Sequence, residues 1–303
     1  MSTPPAARAP GWRDYVDLTK PWITLLIVAV AVAGYFVALP GRIDPERLLV
    51  LVLCGAAASG GAATLNHYFD RDIDARMRRT RGRPLPTERI ASEGRVLAMG
   101  LVLTVVGIGA AAVFLNLLTA FSILLGSLTY VLVYTVWLKR RTAWNIVIGG
   151  FAGSAPALAG SAAAVGHWTD GALALALLVF LWTPPHFWSL ALMLREDYRA
   201  VGLPMLPRMD DPGYSAKVTV ISCALLVPAT VLLAVVGPIA LPAIVALLAV
   251  SLLFLVSELP LWRRSDRTTA LRGFIVSGPY LLAVIVVVIL NWVLVRGVPG
   301  VGG

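Results

Sequence analysis

The chain has 303 residues, of which 58% are hydrophobic and only 14% charged, and its mean hydropathy is +0.83. Soluble globular proteins carry about 25% charged residues, so the composition excludes an ordinary water-soluble protein and favours one bilayer-embedded domain. The formal net charge of +9 would suit nucleic acid, but the basic residues lie in short segments between apolar runs, where charge sets membrane orientation. We therefore predict a membrane protein with no nucleic-acid partner.

The chain begins with a polar segment rich in proline and alanine, residues 1–20, which predicts an N-terminal tail. The first apolar run follows Lys20-Pro21-Trp22 and lacks a convincing small-residue cleavage site, which favours a retained helix over a removed signal peptide. We predict a single membrane-embedded domain over residues 21–296 and a C-terminal tail over residues 297–303.

Apolar runs near 20 residues long recur along the whole chain. Each could cross a hydrocarbon core of about 30 Å at about 1.5 Å per residue. The predicted fold is therefore all-α, with about nine transmembrane helices in one bundle. The runs cover residues 22–39, 48–68, 96–115, 118–138, 143–164, 171–193, 216–236, 239–260 and 274–295.

The basic residues alternate with the predicted helices. With the N-terminus in the cytoplasm, all of the 25 Lys and Arg residues fall on the cytoplasmic side except Arg42, Arg47 and Arg296. This asymmetry is a strong orientation signal. It predicts a multi-pass protein of the cell membrane with its N-terminus in the cytoplasm.

The second apolar run continues directly into a polar stretch, NHYFDRDIDARMRRTRGRPLP at 66–86. Asn66, Asp70 and Asp74 are four residues apart, and each such step turns a helical side chain by only about 40°. They would form one stripe, with Asp72 pointing roughly the other way. Oxygen ligands beside arginines suit a divalent cation and a diphosphate. The stripe predicts that site; a solvated helix end paired with its own arginines is the alternative.

Basic residues close to the stripe are candidates for diphosphate contacts. One arginine lies in a stiff turn between a glycine and a proline, which would hold its guanidinium toward phosphate oxygens. A second arginine precedes this turn in the same loop. Two further basic residues follow the fourth predicted helix, whose end lies on the same side of the membrane. Loop charge required by orientation would account for them equally well. The four are Arg83, Arg79, Lys139 and Arg140.

Two further polar positions lie at the end of the sixth predicted helix. Asp197, after Glu196, would supply a carboxylate for a second Mg²⁺; an ordinary charged loop is the other interpretation. His186 follows Pro184-Pro185, which should break or kink the helix. An intramembrane histidine at such a break, between tryptophans, is a candidate ligand for heme iron or for an acceptor substrate.

Six stretches carry a resemblance to known proteins: TKP at 19–21, NHYFDRDID at 66–74, RTRGRPLP at 79–86, YTVWLKR at 134–140, PPHFW at 184–188 and EDYRAVGLPMLP at 196–207. Together they resemble the UbiA-type intramembrane prenyltransferases. The first acidic motif is shared across that superfamily, whereas the last stretch is similar to its heme branch. Beyond about residue 210 only hydropathy and the helix count agree.

The resemblance implies a helical bundle around a central cavity open to the cytoplasmic side. It implies transfer of farnesyl from farnesyl diphosphate to a vinyl group of heme B, with addition of water, to give heme O for terminal oxidases. Mg²⁺ would be held by Asn66, Asp70, Asp74 and Asp197, the last three being catalytic, and His186 would orient heme. An oxidase-assembly factor or heme A synthase would be a partner.

Two departures from the wider superfamily concern the second metal and a lysine. Many members carry a second D-x-x-x-D, whereas Val201 follows Asp197 by four residues here. Many carry Tyr-x-x-x-Lys, whereas the spacing from Tyr134 to Lys139 is one residue longer. The heme branch shares both departures.

Three other functions remain open from sequence. A sister prenyltransferase acting on a quinone precursor or a chlorophyll-type ring would use the same diphosphate site. A transporter is disfavoured because the predicted helices lack charge near their middles. An oxidase-assembly scaffold without chemistry would tolerate loss of Asp70 and Asp74.

Overall fold

The computed structural model describes residues 11–39, 41 and 43–295. Within them, nine helical segments are long and apolar enough to cross a membrane, which confirms the all-α membrane fold predicted from hydropathy. The predicted C-terminal tail, residues 297–303, and residues 1–10 of the predicted N-terminal tail lie outside the described residues.

The first half of the chain supplies five of these spans. One span combines α5 with a π-helix, and another combines α6 with α7. The helices are α1 (Trp12–Leu18), α2 (Pro21–Ala38), α3 (Pro45–Arg76), α4 (Glu93–Phe114), α5 (Leu117–Leu128), the π-helix (Thr129–Leu138), α6 (Asn145–Gly149) and α7 (Phe151–Val165).

The second half supplies the other four spans, one of which combines α10 with α11. Helix α8 packs against α2, α7, α10, α11 and α13 and so lies at the centre of the bundle. The helices are α8 (Asp170–Met193), α9 (Arg195–Ala200), α10 (Pro212–Ala224), α11 (Leu226–Val236), α12 (Leu241–Arg263) and α13 (Arg267–Val295).

Helix α1 lies in the segment that the sequence predicts as a polar tail, so the tail prediction does not hold for Trp12–Leu18. Leu18 is fully buried in a cluster with Leu85, Ile90 and Val96. Asp14 accepts a hydrogen bond of 2.5 Å from Arg89. One leucine and one long-range ion pair hold this helix on the loop after α3. Neither can be recognised from the surrounding polar sequence, because both partners lie far along the chain.

Helix α3 continues well beyond its apolar run. Asp44 caps its start by accepting hydrogen bonds from the backbone N–H groups of Glu46 and Arg47, and Pro45 occupies the first helical position. Its end is at Arg76, eight residues past the end of the predicted run at residue 68. Hydropathy falls there because the last turns bury polar side chains against protein. The acidic stripe therefore lies on a continuous helix.

Helix α8 continues through its two prolines, so of the break or kink that the sequence predicts there, the break does not occur. It is helical from Asp170 to Met193 with Pro184 and Pro185 inside. Trp182, just before them, donates from Nε1 to the backbone oxygen of Ser277 at 2.9 Å. Each proline removes one helical hydrogen bond, but neighbouring helices on several sides hold the backbone in place.

Small residues let α2 and α7 approach each other backbone to backbone. A Cβ atom added to Gly34 would overlap the backbone of Ala157, and one added to Gly160 would overlap the backbone oxygen of Ala31. Such contacts stabilise membrane helix pairs, where lipid supplies little hydrophobic driving force. This close crossing brings α2 against the wall of the central cavity.

Replacing Gly34 by alanine is expected to destabilise the protein, because its Cβ has no room against α7. Overpacking of this kind costs about 1–3 kcal/mol. Gly109→Ala is the matched control, since a Cβ at this exposed helical position meets nothing within 4 Å. The midpoint of thermal unfolding in detergent should fall for Gly34→Ala and hold or rise slightly for Gly109→Ala. Equal midpoints would contradict the close crossing.

Candidate functional site

A cavity of about 360 Å³ lies between α2, α3, the π-helix, α7 and α8. Small-molecule sites are typically roughly 300–1,000 Å³. One end is apolar, with residues such as Ile27, Leu51 and Ala58, and the other end is polar. We call it the main cavity. Its polar end lies at the C-terminal end of α3, which the basic residues predict to be cytoplasmic.

The structure brings the whole predicted stripe into the wall of the main cavity. Asp70 and Asp74 are only 1% and 3% exposed, and Asn66 is buried beside them. Lys139 Nζ lies 2.5 Å from Asp70 Oδ2, and Asn66 donates to the same oxygen at 2.7 Å. Arg83 donates to Asp74 Oδ2 at 2.6 Å. Both carboxylates are therefore paired with cations inside one pocket.

The opposite side of α3 carries a separate ion pair. Asp72 is exposed, and the Arg140 guanidinium donates to both of its carboxylate oxygens at 2.7 and 2.8 Å. The same guanidinium donates to the backbone oxygen of Phe69. The predicted outward direction of Asp72 is confirmed. Arg140, predicted as a diphosphate contact, is not part of the wall of the main cavity.

The π-helix explains the unusual spacing between Tyr134 and Lys139. In an α-helix, five residues turn the side chain about 140° away from the first. The π-helix instead has hydrogen bonds between residues five apart, and the Lys139 N–H donates to the Tyr134 oxygen at 2.8 Å. Lys139 Nζ lies 6.0 Å from the centre of the Tyr134 ring. The wider turn of the π-helix accommodates the extra residue, so Lys139 stays on the same side as Tyr134 and reaches Asp70.

Lys20 is a site residue to which the sequence analysis assigns no role, although TKP is among the motifs. Its Nζ donates to Asn66 Oδ1 at 2.5 Å and to the Tyr130 hydroxyl at 3.1 Å. Its backbone is left-handed, with φ of 47°, which costs a non-glycine residue about 1–3 kcal/mol. Burial, with Arg83 and Lys139 nearby, lowers the pKa of Lys20 to about 7. Only the fold brings residues 20 and 66 together.

The loop after α3 places two arginines at the polar end. The Thr80 hydroxyl donates to the backbone oxygen of Asp74 at 3.0 Å and fixes the start of the loop. Arg79 and Arg83, the predicted diphosphate contacts of this loop, both line the main cavity, whereas Arg81 is exposed outside it. Among the described residues, the Arg79 guanidinium has no hydrogen bond or ion pair. It is a cation available to an anionic ligand.

The second predicted carboxylate does not join the first. Asp197, in α9, is half-buried and is not part of the wall of the main cavity; its neighbour Tyr198 is. Burial raises the pKa of the Tyr198 phenol, so it stays protonated as a hydrogen-bond donor. In the described ranges, no three His, Cys, Asp or Glu residues form a cluster that could hold a metal ion.

His186 lines the main cavity on its α8 side. Its Nδ1 lies 2.6 Å from the Ser277 hydroxyl, and its ring stacks on Trp182 with centroids 4.4 Å apart. Phe274 contacts the ring from α13. The ring is therefore held in one orientation. The other ring nitrogen, Nε2, has no hydrogen bond to the rest of the described chain.

Oxygen donors for one divalent cation are present on the stripe. Asp70 Oδ1 is buried and has no partner among the residues described, which is unusual for a carboxylate oxygen. The Asn66 oxygen and the Asp74 carboxylate lie on the same helix face. Carboxylate and amide oxygens are the ligands that Mg²⁺ takes in proteins. The residues of the stripe fit one magnesium ion and would hold it through these oxygens.

Comparison with known proteins identifies the family of this chain. Residues 26–283 match the UbiA prenyltransferase family. Proteins named protoheme IX farnesyltransferase include one from Nostoc sp., 41% identical over 89% of this chain and 85% of that protein, and one from Sulfurisphaera tokodaii, 39% identical over 91% and 92%. One from Thermus thermophilus is 42% identical over 89% of this chain but only 44% of that protein.

Solved structures share the fold at low sequence identity. A digeranylgeranylglyceryl phosphate synthase structure has a TM-score of 0.76 at 17% identity and covers 93% of this chain and 98% of that chain. A UbiA homolog from Archaeoglobus fulgidus bound to GPP and Mg²⁺ has a TM-score of 0.67 at 17% identity, over 91% and 99%. The chain spans less than half of the Thermus relative but most of the others. From the extent of these matches, the chain belongs to the UbiA prenyltransferase family.

Proposed function

We propose that this chain transfers the farnesyl group of farnesyl diphosphate to a vinyl group of heme B, with addition of water and release of diphosphate, to give heme O. The observation that carries the proposal is the pair of buried, cation-bound carboxylates, Asp70 and Asp74, at the polar end of an apolar cavity. The names of relatives about 40% identical over most of this chain support the substrates.

The polar end would bind the diphosphate. Arg83 and Lys139, which pair with the carboxylates here, and Lys20 between them would bind its oxygens and neutralise the leaving group. Asn66, Asp70 and Asp74 would hold Mg²⁺, which supplies further positive charge to the departing diphosphate. Asp197 and Arg140 lie outside this arrangement.

The apolar end would hold the farnesyl chain and protect the reaction. Breaking the carbon–oxygen bond gives an allylic cation, which water would capture early if it entered. Apolar walls from α2, α3 and α7 exclude it. The heme vinyl group then attacks the allylic carbon, and water adds to the new cation to leave a hydroxyl. His186, held by Ser277 and Trp182, would orient the heme ring.

We place the reaction at the cytoplasmic face of the cell membrane. The support is the division of basic residues between the two sides, since the diphosphate site lies at the basic-rich ends of the helices. Heme O would then pass to terminal oxidase biogenesis, through a heme A synthase or an oxidase-assembly factor.

Substitution of either stripe carboxylate should stop turnover. Membranes containing the protein, supplied with heme B, farnesyl diphosphate and Mg²⁺, are expected to yield heme heavier by one farnesyl and one hydroxyl group, detected by mass spectrometry. Asp70→Asn and Asp74→Asn should lower the rate by at least about 100-fold, in line with loss of one preorganised electrostatic group. Asp72→Asn, on the exposed side of the same helix, is the matched control and should stay within about threefold.

Other products identify the competing functions. A prenylated quinone precursor with unchanged heme would refute the heme substrate and favour a sister prenyltransferase. Full biological function of Asp70→Asn and Asp74→Asn would refute enzymatic chemistry and favour a scaffold.

Chelation of divalent cations should abolish the reaction reversibly. The Asp70 and Asp74 carboxylates would hold the divalent cation, which would supply positive charge to the departing diphosphate. Activity in the same mass assay is expected to fall to background with excess EDTA and to return on addition of Mg²⁺. Activity that survives EDTA treatment and dialysis would contradict a metal bound at the stripe.

Deletion of Val136 should be tolerated, because it removes the residue that the π-helix absorbs. The shortened sequence reads Tyr-x-x-x-Lys, which an ordinary α-helix keeps on one face. Val136 is exposed on the outer side of the bundle. Turnover should stay within about fivefold of the unaltered protein, whereas insertion of one alanine after Val136 should lower it by at least about 50-fold. Equal losses from deletion and insertion would contradict this role of the π-helix.

A further inference from the structure

A second pocket, of about 460 Å³, adjoins the main cavity at its polar end. The two share Lys20, Arg79 and Arg83 in their walls, and the second pocket adds His67 from α3 and Arg89 from the following loop. We call it the basic pocket. Since Arg79 is exposed, the basic pocket reaches the protein surface.

The basic pocket carries a surplus of positive charge. Arg83 is paired with Asp74, and Arg89 with Asp14. Lys20 and Arg79 form no ion pair within the described ranges, and Asp17 is the one carboxylate that this part of the structure places in the pocket wall. The Arg79 guanidinium is thus an unpaired cation, and the Lys20 amine in the same wall is a further hydrogen-bond donor, so the pocket favours an anionic ligand.

His67 is an unsatisfied polar group in that wall. Its side chain is 3% exposed, and neither ring nitrogen has a hydrogen-bond partner among the described residues. Buried polar groups are nearly always paired in folded proteins, and a neutral imidazole offers one N–H donor. An acceptor supplied by a ligand of the basic pocket would satisfy it.

The ligand chemistry follows from what the pocket lacks. Asn66, Asp70 and Asp74 all line the main cavity, and none of them lines the basic pocket. Without these oxygen donors, the basic pocket suits a metal-free anion such as a carboxylate better than a magnesium diphosphate. The acceptor in the proposed function, heme, has two propionate carboxylates on one edge of an apolar ring. Burying them in the apolar end of the main cavity would be very unfavourable.

We propose that the basic pocket binds the propionate carboxylates of the heme acceptor, with His67 and Arg79 as donors. This proposal rests on the proposed function and adds the orientation of the acceptor. Because the two cavities share a wall, the ring can enter the main cavity with a vinyl edge toward the farnesyl chain while its carboxylates stay among cations. The diphosphate and the acceptor would then use different sets of basic residues.

The test is heme binding by the purified full chain in nanodiscs, followed at the Soret band. Heme B is compared with its dimethyl ester, which keeps the iron and the vinyl groups but removes both charges. The protein should bind heme B about tenfold more tightly than the ester, as expected for charge-assisted hydrogen bonds. His67→Leu and Arg79→Ala should each lower the affinity for heme B about tenfold and leave the affinity for the ester unchanged.

Matched variants separate loss of a donor from loss of the fold. His67→Gln keeps a side-chain N–H donor and should stay within about threefold of the unaltered protein. Arg81→Ala removes an exposed arginine of the same loop, outside both cavities, and should change nothing. Unchanged affinity of His67→Leu for the ester shows that the heme site is intact.

Two results would overturn the proposal. One is equal affinity of the unaltered protein for heme B and its ester. The other is a His67→Leu variant that binds heme B normally but has lost inhibition by magnesium pyrophosphate, which would assign the basic pocket to the diphosphate. Either result is compatible with heme O formation in the mass assay. The proposed function itself fails only if that assay gives no farnesylated heme.

Discussion

Two buried carboxylates, Asp70 and Asp74, are each paired inside this bundle with a cation that reaches them from another segment. An ionised carboxylate taken out of water without a partner loses several kcal/mol of solvation. Lys139 comes to Asp70 from the end of the π-helix, and Arg83 comes to Asp74 from the loop after α3. Any fold of this sequence that separated these segments would leave uncompensated charge in an apolar interior.

This constraint accounts for the irregular features of the fold. The π-helix keeps Lys139 in reach despite one extra residue, and the left-handed backbone at Lys20 directs its ammonium group at Asn66. Helix α1 packs on the loop that carries Arg83 through the cluster around Leu18. Strained or uncommon backbone persists where surrounding structure determines it, and such positions concentrate at functional sites. Here they all lie around one polar cluster.

The regular parts of the structure were predictable, and the irregular parts were not. Runs of 18 or more apolar residues predict membrane spans directly. Polar residues four apart predict one face of a helix, so both the spans and the Asn66 stripe follow from the local sequence pattern. Helix α1 depends on Leu18 and Asp14 meeting partners about 70 residues away. The continuity of α8 through Pro184 depends on packing from several helices. Asp197 was predicted from its neighbours in sequence, which do not determine on which side of α9 it lies.

The polar end of the bundle would have to bind two different anionic ligands without confusing them. Both ligands of the proposed reaction are amphiphiles, and each needs cations for its anionic part next to apolar walls for the rest. A single cluster of cations would let either anion occupy the place of the other. In the proposed reaction, the carboxylate stripe would make the main cavity selective for an anion that carries a metal ion, since carboxylates repel bare anions. The basic pocket lacks that stripe and would accept a bare anion. The two cavities share basic residues, but the stripe in only one of them would direct the metal-bound anion and the bare anion to different places. In this arrangement, the acidic residues determine specificity as much as they provide affinity.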